Sequence, residues 1–314
     1  MTRPTPSDSQ PWLSVVMPVF NGARTLEASL TSLARNPGDI EVIVVDQGST
    51  DDSLQIIDSF RERLSLRVFQ KPQHQNWMQN TNFGFAAARA PFATMLHQDD
   101  IWLAGRLALL KRMYEKAPQA VLWVHGAHYI DAAGQKVGSI GPPFGRRENL
   151  LNPEQSIPRL IVQNTIALPA AMFKTRDVQG ANGLDETLWY TADWDLWLRL
   201  AANGLVAWSP VAAVGFRLHQ GSQTITGSRD AKAFAQQLAL PVLRHADGMP
   251  KAVLKRAAAS NALNVWLAKR YHKNAAPFAP VAKQLWRLGP RGWVGFLSDT
   301  RILQRILARL RVRL

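Results

Sequence analysis

Short apolar runs alternate with amphipathic stretches along the first two thirds of the chain. Residues 13–20 (LSVVMPVF) read as a buried strand that ends at Asn21-Gly22. Leu26, Leu30 and Leu33 recur at helical spacing over 23–35, and Asn36-Pro37-Gly38 stops that helix. A second apolar strand, 41–45 (EVIVV), ends at Asp46, and Ser49 or Thr50 can cap a helix with Asp51 and Asp52 in its first turn. The same reading predicts strands over 66–70, 92–96 and 121–130 and helices over 80–90 and 103–116, the last led in by Ile101-Trp102. Residues 138–158, rich in Gly, Pro and Arg, read as a long loop of the kind that often binds or covers a ligand. A helix over 193–202 and strands over 205–208 and 211–218 follow, and beyond about Gly227 the pattern is wholly helical.

Strand–helix alternation with apolar strands predicts an α/β fold, Rossmann-like, with a mostly parallel sheet covered by helices on both faces. The expected organisation is a flexible leader over 1–11, an α/β domain over 12–226 and a basic helical extension over 227–314. Ligands of such sheets sit beyond the carboxyl ends of the strands. Asp46 and Asp99-Asp100 both fall at such ends, which is the first physical pointer to a site. An apolar content of 46% suffices for a core, and the absence of cysteine excludes a disulfide scaffold, a thiolate metal site and a cysteine nucleophile. No apolar h-region opens the sequence and no apolar run reaches about 18 residues, so neither a secretory signal nor a spanning helix is expected. A cytoplasmic location is the corresponding expectation.

Acids at strand ends suit a divalent cation shared with phosphate oxygens, although Asp99-Asp100 could equally cap the following helix. The order of motifs decides between these. MPVFNGARTLEASLTSL, EVIVVDQGSTDDS and TNFGFAAARAPFATMLHQDDIW occur in sequence, followed by GLDETLWYTADWDLWLRLAANG and FRLHQGS. Over about residues 12–225 the chain resembles the family 2 glycosyltransferases, whose fold is the GT-A type. The resemblance implies an inverting, metal-dependent enzyme that moves a sugar from a nucleoside-diphosphate sugar to a hydroxyl of a glycan or lipid-linked glycan, in surface polysaccharide synthesis. It implies that Pro18, Phe20 and Asn21 shape the nucleotide pocket and that Asp46 hydrogen-bonds the nucleobase. It further implies Asp99 as the carboxylate for Mg²⁺ or Mn²⁺ with Asp100 beside it, Asp193 as general base with Asp195 and Arg199 as supports, and His219 as a metal or diphosphate contact. Arg217, in the same segment as His219, falls among the expected substrate contacts.

Three positions depart from the family pattern. Gln47 stands where a second Asp is usual, His97 where the metal motif normally has Asp, and Ala192 where many relatives carry Glu. Gln47 can still hydrogen-bond base or ribose, and His97 can contact ribose or a metal-bound water without being a metal ligand. Trp189, next to Tyr190, is a candidate platform for an acceptor sugar, whereas His125 and His128 on an apolar strand read as structural.

The net charge of +14 is concentrated at one end. Residues 250–314 hold 14 Lys/Arg and one acid, giving +13, and residues 1–249 hold 23 basic and 22 acidic residues, giving +1. In 300–314, Ile302, Leu303, Ile306, Leu307, Leu310 and Leu314 share a side, with Arg301, Arg305 and Arg309 recurring every fourth residue and Arg311 and Arg313 beyond. Such a helix suits an anionic membrane surface at the inner face of the plasma membrane, with Trp286 and Trp293 at headgroup level; packing on the catalytic domain and contact with another protein are the other readings. Nucleic acid is not an expected partner, because no base-reading motif accompanies the charge. A non-catalytic sugar-nucleotide or partner-binding member of the family remains the alternative function, supported by Gln47 and His97.

Overall fold

In the computed structural model, residues 10–36, 38–74 and 76–312 are described. The leader expected over 1–11 lies outside them except for Gln10 and Pro11, as do Arg313 and Leu314.

The first half of the sheet follows the predicted alternation. Strand β1 (Leu13–Val19) is buried throughout and leads to α1 (Ala23–Ala34), whose Leu26, Leu30 and Leu33 enter the core. Next come β2 (Ile40–Asp46), α2 (Ser53–Asp58), β3 (Leu66–Gln70), α3 (Trp77–Ala87) and β4 (Phe92–Met95). These four strands pair in parallel in the order β3-β2-β1-β4, so β1 and β2 are covered on both faces. Helix α2 starts later than the Ser49/Thr50 cap predicted: its cap position is Asp52, and Asp51 accepts the Ser53 N–H at 3.1 Å.

The second half is mixed rather than parallel. It contains β5 (Ile101–Trp102), α4 (Arg106–Lys116), β6 (Leu122–Ile130), β7 (Lys136–Ile140), β8 (Asn149–Leu151), α5 (Pro153–Leu160), β9 (Ala171–Lys174), α6 (Thr175–Gly180), α7 (Ala192–Ala202) and β10 (Val206–Arg217). Strand β9 inserts antiparallel between β4 and β6, and β10 runs parallel to β6. Ile101-Trp102 do not begin a helix; they pair antiparallel with β10, next to the Asp100 carboxylate that accepts the Arg217 N–H of that strand. The predicted loop over 138–158 is partly regular, because β7 and β8 pair with β6 and β10, and Asn152 with Gln155 forms a capping box on α5. The two strands expected over 205–218 are one, with a register irregularity between Ser209 and Val214. His125 is structural as read: it accepts from the buried Arg106 Nε at 3.0 Å, and burial holds its pKa down to about 3. His128 bonds Ser139 at 3.1 Å on the neighbouring strand.

The helical extension comprises α8 (Gln223–Gly227), α9 (Ala231–Arg244), α10 (Lys251–Tyr271), α11 (Ala279–Trp286), α12 (Gly289–Thr300) and α13 (Ile302–Arg311). Phe234, Leu238 and Val253 from it share a core with Leu188, Trp194 and Leu198 of the α/β part. Val281, Leu285, Phe296 and Ile302 form a smaller core of their own. Helix α13 divides its apolar stripe between the protein and the surface. Ile302, Arg305 and Ala308 are buried, while Leu303, Leu307 and Leu310 are 63%, 53% and 64% exposed.

Candidate active site

Three loops at the carboxyl ends of β1, β2 and β4 build the first cleft. Its walls are Pro18, Phe20, Gln47, Trp77, Asn80, His97, Gln98, Asp99, His219 and Ser222. Gln98 fixes the loops to one another, since its Oε1 accepts the Phe20 N–H at 2.8 Å and its Nε2 donates to the Phe20 carbonyl at 3.0 Å. Phe20 remains 51% exposed and available to a planar ligand. Asn21 does not line the cleft; in the left-handed region at φ 46°, it accepts the Thr50 N–H at 2.9 Å and so joins the first loop to the second.

Asp46 corrects the expectation of a nucleobase contact. It is fully buried, and its carboxylate accepts the Gly48 and Ser49 N–H groups at 2.9 and 3.0 Å together with the Ser49 hydroxyl. Those donors occupy most of its acceptor capacity, so Asp46 sets the turn and Gln47 presents the side chain to the cleft.

The metal-motif residues separate in role. Asp99 Oδ2 lies 2.8 Å from His219 Nε2. Burial acts to raise the Asp99 pKa, but the His219 hydrogen bond and the nearby His97 and His219 outweigh it, leaving the group below its ordinary value. The other His219 nitrogen, Nδ1, is buried and has no hydrogen-bond partner among the described residues. His97 packs edge-on against Trp77 at 5.0 Å, and burial lowers its pKa against the pull of Asp99. Asp100 is 2% exposed and accepts the Arg217 backbone N–H at 2.8 Å. Burial and the adjacent Asp99 raise its pKa well above the ordinary value, so it tethers β10 more than it contacts a ligand. Arg217 is corrected in the same sense. Its Nε donates to the Asp99 carbonyl at 2.7 Å and its Nη1 to the carbonyls of Asp131 and Ala132 at 2.7 and 2.9 Å. The guanidinium therefore clamps the Asp99 loop from behind.

A second cleft adjoins the first and shares Trp77, His97, Asp99 and Ser222 with it. Asp193, Trp189, Tyr190 and Asn164 belong to its walls. Asp193 stands at the start of α7, where Asn164 Nδ2 donates to Oδ2 at 2.9 Å and the Trp194 N–H to Oδ1 at 2.8 Å. Burial raises its pKa to about 6 despite both hydrogen bonds, within the range useful to a general base. Asp195 faces away: Arg199 Nε donates to it at 2.7 Å, while Arg199 also holds the carbonyls of Ala181 and Gly183. Those two residues anchor α7 to the 181–183 loop, a support role of the expected kind.

Residues 14–174, just over half of the chain, match the model of Glycosyl transferase family 2. The chain belongs to that family. This glycosyltransferase is 24% identical over 220 residues to an uncharacterized glycosyltransferase of Rickettsia typhi, covering 69% of this chain and 67% of the relative. It is 34% identical over 107 residues to one from Nostoc, covering 33% of each chain. Its fold is similar to that of S. aureus TarS 1–349 (TM-score 0.63, 18% identity, 96% of this chain and 87% of TarS 1–349). The mannosyltransferase PcManGT from Pyrobaculum calidifontis, solved with GDP-Man and Mn²⁺, is similar at TM-score 0.57 and 16% identity, over 97% of this chain and 88% of that one. A TarS 1–349 structure with UDP-GlcNAc aligns at TM-score 0.59 and 15% identity, over 95% and 91%. The mixed α/β architecture is thus the GT-A type that the motif order implied.

Sequence reasoning missed Trp77, Asn80 and Gln98 in the first cleft and Asn164, Arg305 and Arg309 in the second. Gln98 lies inside the recognised HQDD segment and was within reach. Asn164 carries no local signal, because its partner is 29 positions away.

Proposed function

We propose that this chain transfers a sugar from a nucleoside-diphosphate sugar to an acceptor hydroxyl, with a divalent cation and with inversion at the anomeric carbon. The observation that carries the reading is the meeting of two clefts at Asp99, one walled by the nucleotide-pocket loops and the other by Asp193. A donor in the first cleft would bring its diphosphate to Asp99, and an acceptor in the second would bring its hydroxyl to Asp193. Structures of TarS 1–349 with UDP-GlcNAc and of PcManGT with GDP-Man support the donor class.

The residues present fit a Mg²⁺ or Mn²⁺ ion. No group of three or more His, Asp or Glu that could hold a metal occurs among the described residues. Such ions, however, commonly take one or two carboxylates and complete their shell with substrate phosphates and water. The partly exposed Asp99 supplies the carboxylate, and the unpartnered Nδ1 of His219 marks buried polar capacity beside it. When bound, the ion would neutralise charge on the leaving diphosphate. Asp193 accepts the proton of the attacking hydroxyl as the new C–O bond forms and the bond to the diphosphate breaks. One base opposite the leaving group supports a single displacement, hence inversion. Asn164 and the Trp194 N–H hold the Asp193 oxygens in place meanwhile.

The acceptor in this reading is a glycan or lipid-linked glycan, and the site lies at the inner face of a membrane. No described helix is long and apolar enough to cross a bilayer. The exposed leucines of α13, with Trp286 84% exposed nearby in sequence, support peripheral attachment. The expected division near residue 226 sets off a helical extension that packs on the α/β domain and shares its core.

Release of nucleoside diphosphate from UDP-, GDP- and dTDP-sugars tests the reading, with Mn²⁺, Mg²⁺ or EDTA. Release is expected with one donor class, lost in EDTA, and reduced about 10²–10⁴-fold in Asp193→Asn. Asp99→Ala is expected to abolish the metal dependence together with turnover. Failure to bind any nucleotide sugar would overturn the proposal.

A further inference from the structure

The second cleft has a wall that neither the motifs nor the proposed chemistry uses. Helix α13 lies on β7, with Ala308 so close to Gly138 that a Cβ on that glycine would sit 3.0 Å from the alanine's own. The close approach sets Arg305 and Arg309, one helical turn apart, among the residues lining the cleft that contains Asp193. Arg305 is 7% exposed. Its Nη2 donates to Asn264 Oδ1 at 2.8 Å and its Nη1 to the Thr300 carbonyl at 3.5 Å. Asn264 is fixed in turn by donating to Gln163 Oε1 at 2.7 Å. Arg309 makes no hydrogen bond or ion pair among the described residues.

Two arginines thus line one cavity, and neither has a carboxylate partner among the described residues. Burial, joined by the neighbouring Arg309, lowers the Arg305 pKa to about 10 against the opposing pull of Tyr129 and Tyr190, as expected of a buried positive charge beside another. A buried charge is tolerated when paired, and the planar fork of arginine matches phosphate oxygens two at a time. The acids of this cleft, Asp99, Asp100 and Asp193, are engaged by His219, the Arg217 N–H and Asn164 respectively. Neither arginine lines the first cleft, so an anion held by this pair would sit on the acceptor side.

We infer that the acceptor carries a phosphate group, bound by Arg309 with Arg305 as a fixed charge beside it. This rests on the glycosyltransferase reading and names its acceptor class. The phosphate could belong to a lipid headgroup or to a soluble phosphorylated glycan. The exposed Leu303, Leu307 and Leu310 on the other side of the same helix would place a lipid-borne phosphate near a bilayer.

The test measures equilibrium binding to the full chain by calorimetry. Phenyl phosphate serves as a soluble phosphate monoester, and phosphatidic acid in phosphatidylcholine vesicles as the lipid form. UDP and GDP with Mn²⁺ probe the donor cleft in the same samples. Saturable binding of phenyl phosphate is expected, about tenfold weaker in Arg309→Gln and intermediate in Arg309→Lys. Vesicle binding that falls in Arg309→Gln as well would assign the phosphate to a lipid. Vesicle binding unaffected by Arg309→Gln, alongside phenyl phosphate binding that is affected, would assign it to a soluble acceptor. No phenyl phosphate binding, or equal binding by wild type and Arg309→Gln, would overturn the inference. In that case retained nucleotide binding leaves the glycosyltransferase reading standing, and its absence removes both.

Discussion

At the scale of single residues, Asp193 combines two opposed demands. Its carboxylate must be ionised to accept a proton, yet burial raises its pKa to about 6. The dependence of kcat/KM on pH is therefore expected to rise through about 6 and then level off, because protonation below that value removes the base. A profile without that limb would remove Asp193 from the role. The same shift has a consequence for stability. A carboxyl whose folded pKa lies above its unfolded value stabilises the fold at low pH, and that contribution is lost as pH rises through about 6. At neutral pH Asp193→Asn is accordingly expected to raise the thermal midpoint while slowing transfer about 10²–10⁴-fold, a trade of stability for activity. Asp99 behaves oppositely, since His219 and His97 outweigh burial and favour its ionised form.

Among elements, α3 shows why a motif glycine and asparagine recur as structure and not as chemistry. A Cβ at Gly84 would lie 2.3 Å from Val16 Cγ1, so this helix packs on β1 only without a side chain there. Gly84→Ala is expected to destabilise the protein by about 1–3 kcal/mol, read as a lower thermal midpoint. Asn82 accepts the Leu184 N–H at 2.8 Å and donates to its carbonyl at 2.9 Å, tying α3 to the segment that leads into Trp189. The N-x-G pattern was legible in the sequence, whereas its physical purpose required a partner 102 positions away. Helix α13 gives the converse lesson. Its periodicity identified an amphipathic helix correctly, but the side facing the protein carries Arg305 and the leucines face out.

On the scale of the whole molecule, the extension completes the site. Gln237 of α9 accepts the Tyr190 N–H at 3.2 Å, and Thr191 donates to its carbonyl at 3.1 Å, so the wall beside Asp193 is held from outside the α/β part. Phe234 and Leu238 pack against that same wall. Truncation after Gly227 is expected to yield insoluble chain or loss of cooperative melting in calorimetry. A soluble fragment over 1–227 with an unchanged melting profile would instead mark two independent domains.

The sequence by itself determined the strands that carry the site, the carboxyl-end placement of Asp99, and the order of motifs that assigned the family. These are local properties: apolar runs, turn residues and fixed spacings survive in one dimension. Tertiary structure decided what each polar group was free to do. Asp46 is taken up by its own turn, Asp100 and Arg217 hold each other's strands, and β9 runs against its neighbours. It also chose which face of α13 to bury and thereby brought Arg305 and Arg309 to the cleft that Asp193 lines, across more than a hundred residues of chain. A hydrogen bond or a counterion depends on what the rest of the chain places within about 3 Å, and no pattern along the sequence encodes that distance.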